Sequence, residues 1–71
     1  MEWIEANSEA IARFAYNGER RVLAIEFATG TTYRYFRVPE FVFVGLLHAA
    51  SKGRYFTEQI RDRYDFELVE R

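Results

Sequence analysis

The chain has 71 residues, and its composition describes one small domain with a single core. It contains no cysteine and one histidine, and its 10 basic and 11 acidic side chains leave a formal net charge of −1. The absence of cysteine excludes a disulfide framework, a thiolate metal site and a cysteine nucleophile. The hydrophobic share of 49% and the aromatic share of 18% favour an ordered domain.

The termini and the charge distribution bear on location and partners. The N-terminal residues carry glutamates and no apolar run, and nowhere do about 18 consecutive apolar residues form a membrane-spanning pattern. We therefore expect a cytoplasmic protein with no membrane partner. Residues 20–64 hold eight basic and four acidic side chains, whereas residues 1–19 hold four glutamates and one arginine. The basic middle could attract phosphate, or it could be an ordinary mixed surface.

The first half of the chain predicts a three-stranded antiparallel meander. Residues 11–16, 22–27 and 32–38 have strand-like patterns, and an Asn-Gly pair and a Thr-Gly pair separate them. Because side chains alternate along a strand, each strand has two distinct faces. The predicted core face of the second strand carries Leu23, Ile25 and Phe27.

Two helices are predicted after the meander. Pro39 suits the first position of a helix that runs to about residue 50. Its apolar stripe, which would cover the sheet, consists of Val42, Phe43, Leu46, Leu47 and Ala50. Gly53 is expected to stop this helix with left-handed backbone, and a second helix over residues 54–63 would bury Phe56 and Ile60. Residues 66–69 form either a short edge strand or a tail. The prediction is one α+β domain over residues 1–71.

Catalysis finds no support in the sequence. His48 has no acidic residue three or four positions away that could orient its ring, and no serine or metal constellation is apparent. The glycines do not form a phosphate-cradling loop. We expect a protein that is not an enzyme, with no catalytic residue, metal ion or cofactor.

Three motifs resemble those of the KTSC domain: Tyr33-Arg34-Tyr35, then Val38-Pro39, then a Ser-x-Gly-x-Tyr-Phe segment over residues 51–56. The resemblance covers about residues 8–69. This module occurs at the C-terminus of some lysyl-tRNA synthetases and as free-standing bacterial or phage proteins, and that association implies RNA binding. The chain has Phe36-Arg37 where the family often has glycine, which predicts a less sharp corner before the first helix.

The two tyrosines admit two interpretations. Tyr33 and Tyr35 could lie on the core face beneath the first helix, with their hydroxyl groups bonded at the sheet edge. Alternatively, they could stand on an open sheet face with Arg37 and stack on nucleic-acid bases. The core interpretation is favoured, because the apolar stripe of the first helix must pack on an apolar surface, and the best candidate is the sheet face that carries Leu23, Ile25 and Phe27.

Basic side chains supply the predicted binding surface. The leading hypothesis is RNA or another nucleic acid; the alternatives are a phosphorylated small molecule, such as a signalling nucleotide bound by an oligomer, and a protein-interaction module. Gly53 is included because backbone N–H groups at a helix start attract anions. The full set of candidate ligand-binding residues is Tyr33, Arg34, Tyr35, Arg37, Lys52, Gly53, Arg54, Arg61 and Arg63.

Self-association is the last prediction. Phe41, Val44 and His48 fall on the flank of the first helix that faces away from its core stripe. Exposed apolar groups of this size on a small domain predict a homo-oligomer that buries them. Alternatively, Phe41 and Val44 rest on Trp3 within one subunit.

Overall fold

The structure is a computed structural model that describes residues 2–69; the ends of the predicted domain, residues 1, 70 and 71, lie outside the described residues. Five strands form one antiparallel sheet in the order β1-β2-β3-β4-β5, and two helices lie between β4 and β5 in the chain. The elements are β1 (Ile4–Glu5), β2 (Ile11–Asn17), β3 (Val22–Phe27), β4 (Thr32–Tyr35), α1 (Glu40–His48), α2 (Lys52–Gln59) and β5 (Phe66–Val69).

The α+β class and the central meander of β2, β3 and β4 are confirmed, but the sheet has five strands and the predicted meander has three. β1 was not predicted, because a two-residue strand carries no alternating pattern of its own; Ile4 pairs with Phe14. The segment 66–69 is an edge strand and not a tail, since Tyr35 pairs with Phe66. The predicted third strand also ends three residues early, at Tyr35.

A β-bulge in β2 sets its core face. The register shifts between Ile11 and Arg13, so that Ile11 pairs with Phe27 whereas Phe14 pairs with Ile25. One extra residue on the bulged strand turns two side chains three positions apart toward the same face. Both Ile11 and Phe14 are fully buried.

The corner between β4 and α1 contains left-handed backbone, although the chain has Phe36-Arg37 and no glycine there. Arg37 adopts the left-handed conformation with φ of 58°, although it is not glycine. The backbone N–H of Phe36 donates to Asp65 O at 2.9 Å, and that of Val38 donates to Arg21 O at 2.9 Å. These two bonds on either side hold Arg37 in a conformation that costs an L-residue about 1–2 kcal/mol.

The boundaries of α2 differ from the prediction. The Ser51 hydroxyl accepts a hydrogen bond from the backbone N–H of Arg54 at 3.3 Å, so the helix begins at Lys52. Gly53 therefore lies in its first turn, and the expectation that Gly53 stops the preceding helix with left-handed backbone is wrong. A Cβ atom there would lie 3.1 Å from the Cβ of Ala10, so glycine allows close packing. The helix ends at Gln59, four residues before the predicted end.

The two helices share one face of the sheet. In α1, Val42 and Leu46 are buried and Phe43 stacks on Tyr16 of β2 with ring centroids 4.8 Å apart. Leu47 and Ala50 are exposed, so the covering stripe is narrower than predicted.

From α2, the Phe56 ring packs on Phe27 and on Tyr35, with centroid distances of 5.0 and 5.6 Å. Neither helix covers β5. On the helix-facing side of β5, Phe66 is 57% exposed and Leu68 is 52% exposed.

Candidate functional site

Five aromatic rings surround a hollow on the helix-facing side of the sheet, next to strand β5, which neither helix covers. Each ring contacts the next, with neighbouring centroids 5.0 to 6.0 Å apart, and together they close a circuit in the order Phe27, Tyr33, Phe66, Tyr35, Phe56. With Arg61 and Asp62 they line a cavity of about 280 Å³, the aromatic cavity. Phe66, at 57%, is the most exposed ring of its lining.

The strand register explains why these rings meet. Tyr33 and Tyr35 alternate onto the helix-facing side of β4, and Phe66 is the cross-strand partner of Tyr35. Because directly opposed residues in an antiparallel pair point to the same face, the three rings adjoin. Phe27 comes from the end of β3, and Phe56 enters from α2.

The two tyrosines differ in burial. Tyr35 is 4% exposed and is therefore buried as the core interpretation predicts, but Phe56 of α2 packs on it and not the first helix. Tyr33 is only half-buried. Burial is the main cause that raises the pKa of Tyr35 to about 12, and the neighbouring Tyr33 phenol raises it further. The nearby Arg61 guanidinium lowers the pKa of Tyr35, but by less. The Tyr35 hydroxyl group is therefore protonated at neutral pH.

Arg61 and Asp62 add charge at the rim of the cavity. They lie in the turn that follows α2, and both are exposed. Within residues 2–69 the Arg61 guanidinium forms no ion pair with a carboxylate. The five aromatic rings, the positively charged guanidinium of Arg61 and the carboxylate of Asp62 thus line one cavity. Such a set of groups matches a flat, polar-edged aromatic ligand that carries a phosphate.

The structure does not bring all the candidate ligand-binding residues together. Tyr33, Tyr35 and Arg61 line the aromatic cavity. Arg34 lies on the opposite sheet face, where its Nε is 3.6 Å from Glu67 Oε2. Arg37 lies at the corner before α1.

The four remaining candidates lie in or beside α2. The Lys52 ammonium group donates to Ala49 O at 3.1 Å and to Leu47 O at 3.3 Å, so it neutralises the carbonyl end of α1. Arg54 pairs with the carboxylate of Glu58 at 3.1 Å, and Arg63 donates to the backbone oxygen of Glu58 at 3.1 Å. These cations have protein acceptors, and Gly53 packs against Ala10. The predicted anion site at the start of α2 is therefore not assembled.

The largest part of the aromatic cavity was missed by sequence reasoning. Phe27, Phe56, Phe66 and Asp62 were not among the candidate ligand-binding residues. The one available signal was the strand pattern over residues 66–69, which places Phe66 and Leu68 on one face. Pairing of that strand with β4 could not be read from the pattern alone.

The flank of α1 is exposed, as the spacing indicates. Phe41 is 75% exposed, and Val44 and His48 are also exposed. Phe41 is too exposed to rest on Trp3, which is the alternative for this flank. The Trp3 ring lies over the Arg13 guanidinium, with 4.6 Å between the ring centroid and Cζ. The His48 ring nitrogen Nδ1 donates to the backbone oxygen of Val44 at 3.1 Å.

Within residues 2–69, no group of three or more His, Cys, Asp or Glu side chains is arranged to hold a metal ion. Neither α1 nor α2 has the length and apolar character that crossing a membrane requires.

Comparisons with known proteins identify the family. The chain matches the KTSC domain over residues 7–64. It is 33% identical over 64 residues to a protein from Stutzerimonas stutzeri, with 90% of each chain covered. A crystal structure of a KTSC domain protein from Yersinia pestis superposes with a TM-score of 0.94 at 29% identity and 97% coverage of both chains. The chain belongs to the KTSC domain family, which confirms the resemblance.

A similar segment occurs within larger enzymes. A lysine–tRNA ligase from Nostoc punctiforme is 36% identical over 66 residues, which cover 93% of this chain and 12% of the ligase. A second lysine–tRNA ligase, from Trichormus variabilis, is 37% identical over 59 residues, which are 10% of its length. The chain thus spans about a tenth of these ligases.

Proposed function

We propose that this domain binds single-stranded RNA without catalysing a reaction, and that one unpaired base enters the aromatic cavity. The observation that carries the proposal is the closed circuit of five rings around an open hollow with Arg61 at its rim. Aromatic side chains hold unstacked bases by stacking, at about 1–3 kcal/mol per base. Phe66 is the most exposed of the five rings, at 57%, and is the ring most available to a base.

The polar groups of the cavity support a nucleotide over a purely apolar ligand. Arg61 carries a permanent positive charge without a carboxylate partner among residues 2–69, and it suits a phosphate next to the bound base. Asp62 is an acceptor for the amino or imino hydrogens of a base edge. The Tyr35 hydroxyl remains a donor, because its pKa is raised to about 12.

The relatives supply independent support. Lysine–tRNA ligases act on transfer RNA, and some carry this domain as a small part of their length. A module joined to such an enzyme is held close to RNA, which raises the effective concentration of RNA around it. The proposal also keeps the predicted cytoplasmic location.

Direct binding assays test the proposal. A labelled pool of short single-stranded RNA is titrated at low salt with the wild-type protein, with Phe66→Ala and with Trp3→Ala as the matched control. Phe66 and Trp3 are both exposed aromatic residues, but only Phe66 lines the cavity. Phe66→Ala should weaken binding by about 5- to 150-fold, the range that loss of one stacked base implies, and Trp3→Ala should leave the affinity unchanged.

Two outcomes contradict the proposal. If the wild-type protein retains no RNA at about 50 mM salt, where phosphate contacts are strong, the domain does not bind RNA. If both alanine variants bind equally well, the cavity is not the site. A panel of mono-, di- and cyclic nucleotides forms a further arm: a rise in melting temperature with one nucleotide, but no retention of RNA, assigns the cavity to a small phosphorylated ligand instead.

We also propose that the domain self-associates through the α1 flank formed by Phe41, Val44 and His48. The supporting observation is that Phe41 is 75% exposed, so the side chains of residues 2–69 leave most of it uncovered. Sedimentation equilibrium should give a multiple of the chain mass for the wild-type protein and the single-chain mass for Phe41→Glu. A wild-type monomer at high concentration contradicts this second proposal.

A further inference from the structure

The basic side chains of the domain fall into two groups according to what they contact. Nine of the ten lie within residues 2–69. Five of these have acceptors on the protein: Arg13, Arg34 and Arg54 pair with carboxylates, and Lys52 and Arg63 donate to backbone oxygens. The other four form no side-chain hydrogen bond or ion pair within the described part of the chain. They are Arg20, Arg21, Arg37 and Arg61.

These four arginines come from three turns that meet at one end of the sheet. The turn between β2 and β3 carries Arg20 and Arg21, and it is joined to the corner before α1 by the 2.9 Å bond from Val38 N to Arg21 O. The same corner is joined to the turn after α2, which carries Arg61, by the 2.9 Å bond from Phe36 N to Asp65 O. Arg37 lies between the two bonds. We call this group the arginine end; its members are Arg20, Arg21, Arg37 and Arg61.

The arginine end adjoins the aromatic cavity. Tyr35 lines the cavity and is the last residue of β4, two positions before Arg37, and its cross-strand partners are Leu23 and Phe66. Arg61 belongs to both the cavity and the arginine end. All four arginine side chains are exposed. Glu19 and Glu40 lie beside the same end of the sheet around Tyr16, but neither pairs with these arginines.

Two of the four arginines adopt backbone conformations that favour glycine. Arg21 has a φ of 56° and Arg37 has a φ of 58°. Each L-residue pays a conformational cost there that glycine would avoid. Arginine at both positions, without a protein acceptor for either guanidinium group within residues 2–69, indicates that these charges serve a contact outside the domain.

We propose that the arginine end binds the phosphate backbone of the RNA strand whose base enters the aromatic cavity. This inference rests on the proposed RNA-binding function and extends it. The strand would run from Arg61 at the cavity past Arg37 to Arg20 and Arg21, so the site takes several consecutive nucleotides and not one. Guanidinium groups suit this contact because they donate to phosphate oxygens in bidentate geometry.

The salt dependence of RNA binding tests the inference. For a single strand, each phosphate contact contributes about −0.7 to the slope of log K against log salt, so four contacts predict a slope of about −2.8. Arg20→Gln/Arg21→Gln should reduce this to about −1.4. The matched control Arg34→Gln/Arg54→Gln removes the same charge from exposed residues that already have carboxylate partners, and it should keep the wild-type slope.

A second measurement needs no variant. The affinity of the wild-type protein should increase with oligonucleotide length from one nucleotide to several, because each added phosphate reaches a further arginine. Equal affinity for a dinucleotide and an octanucleotide contradicts the inference.

The outcomes separate the two proposals. No RNA binding by the wild-type protein removes both. RNA binding that is weakened by Phe66→Ala, with wild-type slopes for both double variants, leaves the aromatic cavity as the site and overturns only the arginine end. Equal loss of slope in the two double variants also overturns it, because charge in general and not its position would then determine binding.

Discussion

Replacement of Arg37 by glycine should stabilise the domain and weaken its binding of RNA. The stabilising part is a backbone effect: at a φ of 58° an L-residue costs about 1–2 kcal/mol, which glycine avoids. Glycine loses more chain entropy on folding, by about 0.5–1 kcal/mol. With the middle of each range, the net gain in the free energy of unfolding is about 0.75 kcal/mol. For a domain of this size the melting temperature should rise by about 3–6 °C.

The matched control is Arg37→Gln, which removes the charge and keeps a side chain on the strained backbone. Thermal unfolding without RNA should place the melting temperature of Arg37→Gln close to that of the wild-type protein and below that of Arg37→Gly. In RNA titrations both variants should lose one phosphate contact, about 0.7 in slope. If Arg37→Gly is no more stable than Arg37→Gln, the argument from backbone strain is refuted. If both variants bind RNA like the wild-type protein, Arg37 makes no phosphate contact.

Two further predictions concern packing and pH. Gly45→Ala should lower the free energy of unfolding by about 1–3 kcal/mol, although alanine has the better helix propensity. The new Cβ would lie 2.6 Å from Cζ of Tyr55, and that ring is held in place because its hydroxyl group donates to Val42 O. Urea unfolding measures the change, and a variant that is more stable than the wild-type protein would contradict the contact. The contribution of Tyr35 to stability should be constant below pH 10 and be lost between pH 10 and 12, because burial raises the pKa of its hydroxyl group from 10.0 to about 12 in the folded chain. Burial also raises the pKa of Tyr16 and of Tyr55, so these two tyrosines add to the fall. Melting temperatures across that range test this, and a smaller fall in Tyr35→Phe is expected; an equal fall would mean that Tyr35 is not the group responsible.

Local patterns predicted the elements whose signals lie within a few residues. The alternation in residues 22–27 gave a strand that matches β3. The second helix was also predicted, but the Ser51 hydroxyl starts it at Lys52, two residues before the predicted start. β1 escaped prediction because two residues are too short to show a period. The left-handed Arg37 also escaped, since only the bonds on either side of it, to Arg21 and Asp65, impose that conformation.

The candidate site depended on contacts that are distant in the chain. Tyr33 and Tyr35 were recognised as a pair, but whether they are covered depends on which helix packs over them and where that helix ends. α2 covers Tyr35 through Phe56 and leaves Phe66 open. Lys52 has the charge of a phosphate ligand, and only the turn between the helices shows that its ammonium group is bonded to carbonyl oxygens instead.

The most direct test of the central claim is an NMR titration of the isotope-labelled domain with a short single-stranded RNA. Binding in the aromatic cavity predicts that the largest shifts of amide and aromatic signals occur at Tyr33, Tyr35, Arg61 and Phe66, with smaller ones at Arg21 and Arg37. Shifts confined to Arg34 and Glu67 on the opposite sheet face, or to the turn at residues 51–54, would contradict the account, as would a spectrum that RNA leaves unchanged.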